Sequence, residues 1–367
     1  MNPSTSLRTG ARRKRLKIGV LFGGRSAEHE VSVVSAQGVM GAIDTDRFQP
    51  VPIGVTRQGT WLTPAQTEQA LGRIRSERLK SLDEPLGDGI LYRVQALASL
   101  RRVDVVFPLI HGTNGEDGTL QGLLELVGVP YVGAGVAASA LGMDKALQKT
   151  FFRHHNFPVA DDVQLLASQW RDDPQGVAAG AEAVIGYPAF VKPANSGSSI
   201  GTSKARSRED LEEAIAEAFR YDRKVLVERA IDGREVEVAV LGNDDPEASP
   251  VGEITYAAEF YDYHAKYEDN TTQLHIPADI PETAAERARE LAIAAYKSID
   301  CAGLARIDFF YTRDGSLILN EVNTIPGFTP MSMYPKLWEH AGLSYRDLIS
   351  RLIELALERH SEKGRGI

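Results

Sequence analysis

The sequence predicts a mixed α/β protein of two or three domains whose first unit is built on a parallel sheet. Three observations carry that reading. A chain of 367 residues is long enough for two or three domains, each with a sizeable core. Twice near its start, an apolar strand runs through a glycine-rich loop into a helix, as in an open parallel sheet. Near its end, residues 306–323 form two alternating runs about Asp314-Gly315, as in an antiparallel hairpin.

Composition narrows the function classes. Hydrophobic residues make up 43% and charged residues 25%, which is ordinary for a globular protein. The net charge of -9 argues against a nucleic-acid partner, which would call for a basic face to neutralise phosphates. No apolar run approaches the roughly 18 to 20 residues of a membrane span, so no membrane partner is expected. The single cysteine, Cys301, rules out an internal disulfide and fits a reducing cytoplasm. Residues 1–15 end in Arg12-Arg13-Lys14-Arg15 and read as a disordered basic extension.

Folded sequence begins at Leu16. Residues 17–22 form an apolar strand, and Gly23-Gly24-Arg25-Ser26 turns into a helix predicted over 27–43 with Ser26 as N-cap. The loop lacks the Gly-x-Gly-x-x-Gly spacing of a dinucleotide site. Glu30 falls in the first helical turn, where the dipole favours a carboxylate. It also lies where open α/β sheets place ligands, and could hold a substrate ammonium. Residues 50–55 and 103–110 form the second and third strands, with a poorly patterned stretch between them. The third runs into His111-Gly112-Thr113-Asn114-Gly115-Glu116-Asp117-Gly118 and a helix over 119–127, which suggests an anion or small-molecule site. No second His or Cys stands at metal-ligand spacing from His111, so no zinc site is expected.

A second unit begins with a helix over 137–155 carrying Met143-Asp144-Lys145. Residues 187–193 read as a strand ending near Lys192, followed by the loop Ala194-Asn195-Ser196-Gly197-Ser198-Ser199-Ile200-Gly201 and a short strand over 202–205. Such a loop can lie over phosphates, because glycines let backbone N–H groups approach and hydroxyls add donors. Lys192 would add a cationic point charge. A helix over 208–220 and a strand over 224–228 lead to Glu228, and Glu235 and Glu237 alternate with Val236, Val238 and Val240 in a further strand.

In the hairpin, a two-residue Asp314-Gly315 loop pairs Arg313 with Ser316, which sets Asp308 opposite Glu321 and Arg306 opposite Asn323 on one face. Facing carboxylates repel unless a cation lies between them. Carboxylate and carboxamide oxygens are the ligands of hard Mg²⁺, which takes few protein groups and completes its shell with water and phosphate.

Taken in order, Gly23-Gly24-Arg25-Ser26-Ala27-Glu28-His29-Glu30-Val31-Ser32, His111-Gly112, Gly115-Glu116-Asp117-Gly118-Thr119, Met143-Asp144-Lys145, Lys192-Pro193, Gly197-Ser198-Ser199, Arg306-Ile307-Asp308 and Asn320-Glu321-Val322-Asn323-Thr324 with Pro326-Gly327 closely resemble the D-alanine:D-alanine ligases of the ATP-grasp superfamily. The lid Glu259-Phe260-Tyr261-Asp262-Tyr263-His264-Ala265-Lys266-Tyr267 belongs to the same likeness, which spans the chain from about residue 16 onward. It implies a three-domain ATP-grasp architecture: a Rossmann-like N-terminal substrate domain over 16–135, a central subdomain over 136–228, and a C-terminal subdomain over 229–367 with the metal site and lid. The implied activity joins two D-alanine molecules for peptidoglycan precursor synthesis. ATP phosphorylates the first carboxylate, and the second amine attacks the acyl phosphate.

The resemblance also implies roles. Asp308, Glu321 and Asn323 look like ligands of two Mg²⁺ ions, with Mn²⁺ as a substitute. Lys145 and Lys192 resemble the lysines on the ATP phosphates, Glu228, Ile231 and Glu235 match the adenine and ribose contacts, and Ser199 and Asn320 are further nucleotide-binding residues. Glu30 resembles the acid on the first substrate's ammonium, Arg306 the group facing the developing oxyanion, and Ser332 with the Met333 backbone the clamp on the second substrate's carboxylate, with His111 and Gly327 as further substrate-binding residues. Lys266 resembles a γ-phosphate contact, and Tyr267 a lid residue bonded to Ser198, which connects to Glu30. Relatives are cytoplasmic and commonly homodimers. Two other readings fit the same residues: an ATP-grasp ligase for another amine or hydroxy acid such as D-lactate, and a catalytically silent ATP-binding module.

Overall fold

The computed structural model describes residues 14–77, 81–82, 98–256 and 272–364. Most of the basic extension and the lid with Lys266 and Tyr267 fall outside them. Strand β1 (Leu16–Gly23) lies between β2 (Phe48–Val55) and β3 (Val105–Pro108), both parallel to it. Ile18, Val20, Leu21 and Phe22 are wholly buried, as befits a parallel strand covered on both faces. The helix expected over 27–43 spans His29–Ala42, with Glu28 at its N-cap; Ser26 Oγ accepts instead from the Glu28 N–H at 3.3 Å. In the stretch without clear pattern stands a helix, Pro64–Glu77. Its signal was local: Thr63 and Gln66 exchange capping hydrogen bonds around Pro64 in the first turn.

Strands β4 (Asp162–Leu166), β5 (Ala189–Pro193), β6 (Ser203–Ala205) and β7 (Lys224–Arg229) form an antiparallel sheet in the order β4-β7-β5-β6. Helices Pro174–Ile185 and Arg208–Ala218 pack on it through Ala178, Ala181, Ile185, Leu211 and Ile215. The single helix expected over 137–155 is two, Val136–Met143 and Lys145–His154. Asp144 separates them, because its backbone is extended and its carboxylate caps the second helix, accepting from Leu147 N–H at 3.0 Å.

The third sheet comprises β8 (Gly233–Gly242), β9 (Glu247–Ala248), β10 (Gly252–Thr255), β11 (Gln273–His275), β12 (Gly303–Thr312) and β13 (Leu317–Asn323). Its order is β11-β10-β8-β12-β13, with β9 paired to β8. Val236, Val238, Val240, Ile307 and Phe309 pack against Ala288, Ala292 and Tyr296 of the helix Glu282–Ser298. Burying each larger apolar side chain is worth roughly 1.5–3 kcal/mol. Period-two alternation then turns Glu235, Glu237, Arg306 and Asp308 to the opposite face. Along that face the C-terminal helix Tyr345–Lys363 sends Leu348, Leu352 and Ile353 into the core of the first sheet.

Asp308 pairs with Glu321 and Arg306 with Asn323, as the alternation predicts, but by a different route. The loop has three residues rather than two. Thr312, not Arg313, faces Ser316: Thr312 N–H donates to Ser316 O, and Gly315 N–H to Thr312 O, each at 3.0 Å. Gly315 alone takes the left-handed turn position, at φ 84°. A bulge at Asn320 then restores the register, since Phe309 pairs with Leu319 while Asp308 pairs with Glu321. The two departures offset each other. The bulge is legible after the fact, because the buried apolar positions switch parity from Leu317 and Leu319 to Val322.

Gly315→Ala is expected to cost about 1–2 kcal/mol, since an L residue resists the left-handed region. Urea unfolding checks this; unchanged stability would contradict the turn assignment.

Candidate active site

Loops and strands from all three sheets line one cleft of about 1640 Å³. Glu30, His111, Lys145, Lys192, Ser198, Ser199, Ile231, Glu235, Arg306, Asp308, Asn320, Glu321, Asn323, Gly327, Ser332 and Met333 all border it. Of the expected site residues that are described, Glu228 alone stands behind the wall, 3% exposed.

On the floor, Arg306 grips Asp308 with two parallel bonds: Nε donates to Oδ1 and Nη2 to Oδ2, each at 2.7 Å. Asn323 Nδ2 donates to the same Asp308 Oδ2 at 2.9 Å. Glu321 lies 3.3 Å from Lys145 Nζ, which also donates to Ser196 O at 2.8 Å. Glu237, beside Asp308 on β8, contacts Arg306 Nε at 3.1 Å. Burial disfavours the Arg306 charge, but the Asp308 and Glu237 carboxylates outweigh it and raise its pKa well above the ordinary value. Among the described residues no three His, Cys, Asp or Glu side chains gather at metal-binding range; the third donor beside the two acids is the Asn323 carboxamide. That all-oxygen set, with each acid already beside a cation, fits Mg²⁺.

The wall above is the loop between β5 and β6, where Ser198 and Ser199 sit at φ 46° and 57°. Non-glycine residues hold such conformations at a cost of about 1–3 kcal/mol, and they cluster at ligand clamps. The expected link from Ser198 to Glu30 is not formed. Ser198 Oγ donates to Glu28 instead, and Glu30 is taken by Arg57. Glu28 is the N-cap residue and faces the serine loop, while Glu30 lies inside the helix and faces the β2 end. A Cβ at Gly197 would meet Glu28 Oε2 at 2.6 Å, so a side chain there has to displace this carboxylate.

His111 is buried; its Nδ1 lies 3.3 Å from Glu116 Oε1 and 3.2 Å from Ile325 O. Burial lowers its pKa, but the Glu116 carboxylate prevails and raises it. At the far end Ser332 opens the helix Met333–His340, with its Oγ 2.8 Å from Thr329 Oγ1 and accepting from Thr329 N–H at 3.1 Å. That helix N-terminus offers unpaired N–H groups to an anion. Tyr256 OH donates to Glu235 at 2.5 Å.

Over residues 17–134 the chain matches the family description "D-ala D-ala ligase N-terminus", and over 151–354 "D-ala D-ala ligase C-terminus". The chain belongs to the D-alanine–D-alanine ligase family. It is 48% identical over 354 residues to the D-alanine–D-alanine ligase of Geobacillus thermodenitrificans, covering 95% of this chain and 97% of that one. The ligase of Acetivibrio thermocellus is 47% identical, at 94% and 97% coverage. Among solved structures, the D-alanine–D-alanine ligase of Coxiella burnetii superposes with a TM-score of 0.79 at 36% identity, covering 96% of each chain. VanG, a D-Ala:D-Ser ligase of Enterococcus faecalis, gives 0.79 at 38% identity, covering 94% of this chain and all of its own. As in this ligase family, the activity is the ATP-dependent joining of two D-alanine molecules into D-alanyl-D-alanine for peptidoglycan synthesis.

Sequence reasoning on the ligase site passed over Glu28, Arg57, Lys149 and Glu237, all charged partners of the expected residues. Glu28 stood in the quoted motif; the others lie where only tertiary packing brings them in.

Burial pushes the Glu228 carboxyl up, but Lys149 and Lys192 outweigh it and hold the pKa down at about 2, against 4.5 ordinarily. A folded-state pKa below the unfolded one stabilises above the unfolded value, and the benefit disappears as pH falls through the folded value. Wild-type unfolding free energy should therefore drop between pH 4.5 and about 2 more steeply than that of Glu228→Gln. Equal slopes in urea titrations would contradict the ionised buried pair.

Proposed function

We propose that the ligation runs in this cleft in two stages on the assembled side chains. Lys145, Lys192 and Ser199 hold the phosphates of ATP, and Ile231, Glu235, Asn320 and Glu228 hold its adenosine part. Asp308, Glu321 and Asn323 hold two Mg²⁺ ions, or Mn²⁺ in their place. Such ions, when bound, neutralise charge between phosphates and carboxylates.

The first D-alanine enters with its ammonium toward Glu28, which Ser198 orients, while Glu30 steadies Arg57 at the rim. His111 closes the same end. The carboxylate of this D-alanine attacks the γ-phosphorus of ATP, and the bond to ADP breaks. The amine of the second D-alanine then attacks the acyl phosphate carbon, losing a proton, and phosphate departs. Arg306, fixed by Glu237, is the preorganised charge for the oxyanion of that step. Ser332, the Met333 N–H and Gly327 receive the second substrate's carboxylate at the helix N-terminus. Lys266 and Tyr267 close over the site, since an acyl phosphate has to be kept from water. The same reading divides the chain at 135 and 228, makes the enzyme a homodimer, and locates it in the cytoplasm, where its substrate ATP is made.

The observation that carries this reading is the cleft-facing register of Asp308 with Glu321 and of Arg306 with Asn323. ADP release should occur with D-alanine and not with L-alanine or D-lactate alone. Glu321→Gln should lower it by about a hundredfold or more while the circular dichroism spectrum stays that of the wild type. Turnover within a few-fold of wild type would refute the metal assignment.

A further inference from the structure

Glu228, almost fully buried, has an ammonium group on each of its oxygens. Lys192 Nζ, from β5, meets Oε1; Lys149 Nζ, from the helix Lys145–His154, lies 3.0 Å from Oε2. The two lysines are not equivalent. Lys192 is 14% exposed at its side chain and borders the cleft, so it can turn to a nucleotide. Lys149 is 3% exposed and does not border the cleft. We propose that Lys149 is the fixed counter-ion of Glu228, a positioning residue that keeps this carboxylate anchored when Lys192 leaves it for the phosphates of ATP.

The charge count shows why a second lysine is needed. Two cations and one anion leave one positive charge in surplus, and that surplus is available to the nucleotide. With Lys192 as sole partner, its departure would strand a buried carboxylate, the costly way to break a buried pair. With Lys149 in place, a neutral pair remains behind and the Oε1 side of Glu228 is released. An ionised carboxylate accepts hydrogen bonds and donates none, so that oxygen suits the exocyclic amine of adenine and not the carbonyl of a 6-oxopurine. Burial acts against the Glu228 charge and the two lysines overcome it, in keeping with an acceptor-only group.

The inference rests on the assignment of Glu228 and Lys192 to the nucleotide. Steady-state kinetics of Lys149→Met should show the KM for ATP raised by about ten- to a hundredfold, with kcat within about threefold of wild type. The KM for D-alanine should not change, and Lys149→Arg should recover most of the ATP affinity. Loss confined to kcat and thermal stability, with an unchanged ATP KM, would overturn the proposal. A wild-type crystal structure with a non-hydrolysable ATP analogue tests it without any variant. Lys192 on the phosphates with Lys149 still on Glu228 supports it; Lys192 remaining on Glu228, or Lys149 moving off, overturns it. Lys192→Met and Glu228→Gln separate the two levels. If neither alters the ATP KM, the underlying assignment fails; if both do while Lys149→Met does not, only the role of Lys149 fails.

Discussion

Two carboxylates directly opposed on adjacent strands repel one another, and everything else in this cleft follows from how Asp308 and Glu321 are kept together. Without ligand, the protein's own cations do it. Arg306 forks onto Asp308, Lys145 leans on Glu321, and Asn323 donates to Asp308 from the neighbouring strand. Under the proposed function, Arg306 and Lys145 would be freed toward the substrates when a divalent ion takes their place between the acids. On that reading the acids serve as resting places for the groups that the chemistry uses.

The same device recurs elsewhere in the cleft. Lys192 rests on Glu228, which keeps Lys149 in reserve, and Arg306 rests on Asp308 with Glu237 behind it. In each case a cation facing the cleft shares its acid, or is itself shared, with a second group deeper in the fold. Breaking one half of a buried ion pair is expensive unless the other half keeps a partner. The arrangement requires β5, β7, the helix that Asp144 restarts and the cleft face of the third sheet to meet.

Much of this was legible in the sequence, and the residues show where legibility stops. Period-two alternation put Arg306, Asp308, Glu321 and Asn323 on one face, but the turn was one residue longer than Asp-Gly chemistry suggested, and the bulge at Asn320 made up the difference. The motif about Glu28 and Glu30 was found, yet which carboxylate meets Ser198 depends on where the helix begins, and that boundary moved by two residues. The helix Pro64–Glu77 escaped because its mixed surface has little apolar periodicity and only its capping residues announce it. Lys149 escaped because a buried ion pair between distant segments leaves no periodic trace, and for Glu237 alternation gave the strand face but not its partner Arg306.

Asp308 and Glu321 are proposed to form together a divalent-ion site that nucleotide completes. Titrating the wild-type protein with Mn²⁺ in the presence of an unreactive ATP analogue, and following free Mn²⁺ by electron paramagnetic resonance, tests this most directly. Saturable binding is expected, removed by Asp308→Asn while the analogue still binds. Mn²⁺ uptake by Asp308→Asn equal to that of the wild type would contradict it.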